Sequence, residues 1–167
     1  MLRSLKERVI DIFRDDILQT GRNVWIPIID VCTLSMAWSL FEKLVHKRFV
    51  KKSNRKVYLA ICILLVYKFI KSDIKEYEEN IPELITRLKK IERNGDLFRK
   101  PVFKLELQVY SELNFSLHVY YEHFASHFLS FLNMLDVNIH EYLSPEELQA
   151  LTQFKTKSVK KENTWLS

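Results

Sequence analysis

The chain has 167 residues, 47% of them hydrophobic and 13% aromatic, with a formal net charge of +5. That is enough apolar material for one domain with a core, and it excludes a disordered chain. Only two glycines and four prolines occur, which excludes turn-rich all-β folds, glycine-rich phosphate loops and nucleophile elbows and leaves an all-α class.

From the amino end, Leu5, Val9, Ile12, Phe13 and Ile17 recur at helical spacing, with Lys6, Glu7, Arg14 and Asp15 on other faces. They predict a first helix over Arg3 to Gln19, stopped by Gly21. Charges run through the apolar positions of MLRSLKERVIDIF, so this start does not read as a signal peptide. A second, broadly apolar helix is expected from near Pro27 to Lys47. Its carboxyl end is complemented by His46, Lys47 and Arg48, with Lys51 and Lys52 just beyond. Cys32 and Cys62 lack CxxC spacing and read as buried free thiols of a reducing compartment.

Ser53 or Asn54 is placed to cap a third helix. From Val57 to Tyr67 that helix carries no charge, yet the run falls short of the ~20 residues a membrane span requires. A helix apolar on every face is enclosed by others, so this one is expected to be the central and most buried helix, packed on the second and fifth. Lys68 follows at once, ahead of Phe69 and Ile70, and places an ammonium group at the end of the most apolar segment.

An acidic connection then leads to a fourth helix opened by Pro82, lined by Ile81, Leu84, Ile85, Leu88 and Ile91, and closed by Asn94 and Gly95. Pro101 opens a fifth, with Phe103, Leu105, Leu107, Val109, Tyr110, Leu113 and Phe115. A sixth, rich in Phe and Tyr, runs from Val119 to Leu135. Tyr120, Tyr121, Phe124 and Phe128 of this region read as core rather than as a groove for a partner helix. Ser144, Pro145 and Glu147 form a capping-box start for a short helix over 143–154, and 155–167 is a loose basic tail.

No catalytic constellation emerges, and no cofactor is implied. His123 and His127 have a metal-compatible spacing, but no third ligand is fixed, so they read as groove or surface histidines and the metal assignment is none. The carboxylate pairs Asp15-Asp16 and Glu78-Glu79 point to different helix faces and read as solvated charge. No Ser/His/Asp or Cys/His pattern has a supporting motif, and the chain reads as a non-enzyme.

Two segments carry a resemblance to a known family. The stretch RKVYLAICILLVYKFIKSD resembles the central helix of the cyclin box, and KLELQVYSELNFSL resembles the cyclin helix with a glutamate near its start and a Leu-x-Phe-x-Leu ending. Both stand in the family's order with one helical segment between them. SLFEKLVHKRFVKKSNRK is similar to the end of the second cyclin helix, with Glu42 and Lys43 where many cyclins have Asp-Arg. The Phe-Glu-Lys-Leu wording and the single box resemble the Cables group most. The chain departs from the pattern in three places: the Arg and Asp-Trp signature of the first helix is missing between Ser4 and Thr20, the segment from Ile74 to Lys100 is longer, and no second box follows.

The resemblance implies a cyclin-like domain over 1–142, best matched over 41–117. It implies a cell-cycle-type regulator that binds a cyclin-dependent or similar protein kinase at its C-helix. The matching contact residues are Lys68 and Glu106, with Phe69, Lys71 and Tyr110 placed beside them by helical proximity. Glu42 is expected to pair with a basic residue of the first helix, Arg8 or Arg14. No membrane and no small-molecule substrate are implied, and the location is cytoplasmic, nuclear or both. The rival readings are a cyclin-fold transcription-complex or nucleic-acid binder that uses Lys47 to Lys56, against which dipole compensation at the helix junction is a sufficient reason for the basic cluster, and a scaffold that holds a partner helix in its aromatic groove.

Overall fold

A computed structural model describes residues 2–19, 29–71, 76–91 and 102–149. Among them the chain is all-α: α1 Leu2–Gln19, α2 Val31–His46, α3 Arg55–Lys71, α4 Glu76–Lys89, α5 Val102–Glu112, α6 Tyr121–Leu135 and the single turn α7 Ile139–Tyr142. Another helical stretch follows over 145–149.

The centre is a pair of helices. α2 packs against α3 and α6, α3 also packs on α4 and α5, and α1 lies on α6. On α3, every side chain from Tyr58 to Leu64 is buried, with Val66 and Tyr67 beyond them. α2 is enclosed to a similar extent, and even its Thr33, Ser35 and Ser39 are buried. The expectation of a single most-buried third helix is thus corrected: two helices share the centre. The Ser35 and Ser39 hydroxyls donate to the carbonyls one turn back, Val31 and Ser35, at 2.6 and 2.9 Å. Once internally bonded, these two serines can enter a core, whereas the buried Thr33 hydroxyl has no hydrogen-bond partner among the described residues.

Helix ends follow local chemistry, not always the residues singled out in the sequence. α2 starts at Val31, where the Asp30 carboxylate accepts the Thr33 N–H at 2.6 Å; Pro27 lies outside the described residues. Before α3, the Asn54 side chain ties the turn instead, accepting from Lys51 N and donating to the Phe49 carbonyl. Pro82 sits inside α4 rather than at its start. An internal proline removes one backbone hydrogen bond and costs roughly 3 kcal/mol, so apolar burial of Leu84, Leu88 and Ile91 outweighs it here. The Ser144–Glu147 capping box forms reciprocally: Ser144 N donates to the Glu147 carboxylate at 2.8 Å, and Glu147 N to the Ser144 hydroxyl at 3.3 Å. Gly21, Asn94, Gly95, Pro101 and the tail over 155–167 lie outside the described residues.

Candidate partner-binding site

Lys68 and Glu106 stand where two helices of opposite direction pass each other. Tyr58, near the start of α3, hydrogen-bonds Glu112 near the end of α5 at 3.0 Å, while Lys68, near the end of α3, reaches Glu106 near the start of α5. The two helices are therefore antiparallel. Gln108 closes the first cluster, donating to both the Tyr58 hydroxyl and the Glu112 carboxylate. Burial, with the Glu112 carboxylate next, pushes the Tyr58 phenol up to about 12.

At the other end, Lys68 Nζ lies 2.5 Å from Glu106 Oε1, with side-chain exposures of 34% and 10%. The carboxylate is largely enclosed and the ammonium stays in contact with water. A lysine can end a buried helix in this way because its stem packs while its head reaches the surface. Lys71 is one turn beyond Lys68 and Tyr110 one turn beyond Glu106, so each shares a face with its partner of the pair; both are half-buried. Phe69 is 59% exposed and Leu107 53%, and Ile70 is exposed beside them. The structure thus joins Lys68 to Glu106 directly; Lys71 and Tyr110 follow them one turn on along their own helices, and Phe69 is next to Lys68 in the chain. Phe115, assigned from sequence to the fifth helix, stands past its end in a left-handed turn (φ 54°), with its ring edge-on to Tyr110 at 5.3 Å.

A second polar site escaped the sequence reading. Glu42 does not pair with Arg8 or Arg14. Arg8 donates instead to the Lys90 carbonyl at 2.9 Å. Glu42 Oε2 is 2.9 Å from His127 Nε2, and its Oε1 accepts the Trp38 indole N–H at 3.1 Å. On the far side of the imidazole, Nδ1 is 3.4 Å from Lys6 Nζ, and Lys6 also donates to Ser130 Oγ at 2.9 Å. An ammonium can only donate, so Nδ1 accepts and Nε2 carries the proton given to Glu42. The hydrogen bond from His127 holds the Glu42 carboxyl below its usual range, while burial lowers the Lys6 ammonium against the pull of Glu42. Lys6 also lies over the Phe131 and Trp38 rings, at 4.5 and 5.3 Å.

Helical spacing in the sequence puts Lys6 on an outer face of the first helix. The sign to the contrary was Ile10, one turn on, which extends the buried stripe back to position 6. His123 and His127, equal candidates by spacing, part ways: His127 is buried in this network and His123 is exposed. Among the described residues no group of three or more His, Cys, Asp or Glu is arranged to hold a metal ion. The aromatic set divides too, with Phe128 buried, Phe124 and Tyr121 partly so, and Tyr120 65% exposed. Both cysteines are free; Cys62 is fully buried and Cys32 partly, and burial pushes both thiols up, Cys32 to about 12. Lys51 and Lys52 are exposed at the α2–α3 junction, and Lys47 Nζ donates to the Glu112 carbonyl at 2.9 Å. No described helix is long and apolar enough to cross a membrane.

The chain is similar to CDK5 and ABL1 enzyme substrate 1, a Cables protein, from human (38% identity over 87 residues) and from mouse (34% over 87 residues). The match covers 52% of this chain but only 13% of the human protein and 14% of the mouse one. It supports a Cables-like relation over about half of the chain. No family model matches, and no solved structure does.

Proposed function

We propose that this chain is a cyclin-box module that binds a cyclin-dependent or related protein kinase as a non-catalytic regulatory subunit or adaptor. The observation that carries the reading is the Lys68–Glu106 pair, set among exposed Phe69, Ile70 and Leu107 at the water-facing end of a central helix. Charged groups held rigidly beside exposed apolar side chains are what a specific protein interface requires. The Cables relatives, named as substrates of CDK5 and ABL1, support the direction of the reading. A kinase is switched by the position of its C-helix, so a surface that grips that helix regulates without doing chemistry.

The test is affinity for a panel of cyclin-dependent kinases, measured on the wild type and on Lys68→Ala, Glu106→Ala and Phe69→Ala, with thermal melting run in parallel. Loss of binding by folded variants supports the reading. Full binding by a folded double Lys68/Glu106 variant sinks it.

A further inference from the structure

A cavity of about 260 Å³ lies between the carboxyl end of α2 and the amino end of α6. It sits at the opposite end of the central pair from Lys68: Arg55, which opens α3 just past the α2–α3 junction, is 13 positions before Lys68, or roughly 20 Å of helix. Leu40 and Val119 supply apolar lining, and Lys43, His46, Lys47, His118, Tyr120 and His123 surround them. The acidic member of the lining is Glu42, whose two carboxylate oxygens are already held by Trp38 and His127.

Size, charge and ring geometry together narrow the occupant. The volume is below the ~300–1,000 Å³ typical of whole-ligand sites, so it suits one large side chain better than a cofactor. Lys43, Lys47, His46, His118 and His123 line it; the Lys47 ammonium is held by the Glu112 carbonyl, and Lys43 has no ion-pair partner among the described residues. Tyr120 forms an aromatic wall with His118 edge-on at 5.2 Å and His123 tilted at 6.4 Å. Tyr120 is also the N-cap of the 15-residue α6, and its side chain makes no capping hydrogen bond, so the amino end of the helix adds its positive pole. Glu122, in the first turn of α6, is exposed and outside the lining, and the Glu112 carboxylate is held by Tyr58 and Gln108. An aspartate or glutamate brings one charge and no ring, and a phosphoserine brings no ring. A phosphorylated tyrosine brings an aromatic ring and close to two negative charges.

We propose that this cavity receives a phosphotyrosine side chain of a partner polypeptide. Its test uses the whole chain, with histidine ring signals followed by NMR during titration with phenyl phosphate, phenol and inorganic phosphate. Phenyl phosphate should shift the His118 and His123 signals saturably and bind at least tenfold more tightly than either control. A Lys43→Ala/Lys47→Ala variant should weaken it at least tenfold with its melting temperature unchanged. Because Lys47 also bonds the Glu112 carbonyl, Lys43→Gln alone serves as a second variant, with a several-fold loss expected. Equal affinity for inorganic phosphate or for phenol overturns the proposal, as does an absence of saturable shifts or full affinity in the folded lysine variants. Kinase affinity should be unaffected by these changes, so the two sites stand or fall separately.

Discussion

Lys68 and Glu106, 38 positions apart in the chain, form an ion pair of 2.5 Å in which the carboxylate is the more enclosed partner. If this pair is a kinase contact, Lys68→Ala and Glu106→Ala should each weaken kinase binding by roughly 2–5 kcal/mol, because each removes a charged contact from a desolvated interface. The losses should not add, since the two side chains share one site. Because the Glu106 carboxylate is only 10% exposed, Lys68→Ala leaves it without its cation and should itself cost about 1–3 kcal/mol of stability, whereas Glu106→Ala leaves a water-facing ammonium and should cost ~0–1 kcal/mol. A marked fall in melting temperature in both variants, with affinity lost only through unfolding, would make the pair an internal staple instead.

His123 and His127 give a second, sharper contrast. His127→Ala leaves Glu42 and Lys6 without their shared partner inside the fold and should cost about 2–4 kcal/mol. His123→Ala, on the exposed side of the same helix, should change stability by less than ~0.5 kcal/mol. Urea unfolding of the two variants measures both, and equal effects would contradict the network.

The same network gives stability a pH dependence of known sign. The Glu42 carboxyl titrates below its ordinary 4.5 in the folded protein, chiefly because of the hydrogen bond from His127. Within that window the unfolded chain binds more protons, so stability rises with pH there. The contribution is fully present above about 4.5 and is lost as pH falls through the folded value. The stability difference between wild type and Glu42→Gln should therefore be present above about pH 4.5 and shrink as a pH series is carried below it. Thermal melting across that series checks it, and a difference that grew on acidification would reverse the assignment.

The central helices were legible because their signal is the simple one, apolar residues at every angle with few breakers from Ala60 to Val66. The Lys68–Glu106 pair was legible only through the resemblance, since no spacing rule links positions so far apart. Lys6 was misplaced for an instructive reason. Periodicity assigns a charged residue to the outside, but a lysine stem over Trp38 and Phe131 with its ammonium on His127 and Ser130 meets every requirement of an inside position. Pro82 misled in the other direction: proline signals a first turn by local preference, and tertiary burial of the same helix overrode it.

The order of contacts along the chain also predicts an order in time. α2 and α3 are neighbours in sequence, joined by the short connection 47–54, whereas α6 must return across more than 70 positions to reach α2. Closing the shorter loop sacrifices less entropy, so the α2–α3 pair should form the folding nucleus and α6 should dock afterwards. Leu64→Ala, at a fully buried α3 position, should cost roughly 2–5 kcal/mol and act mainly by slowing folding. Phe131→Leu on α6 should mainly speed unfolding. Stopped-flow rates for the two variants would show the reverse pattern if α6 came first, and the Lys6–His127–Glu42 network would then be a guide to assembly rather than the latch that closes it.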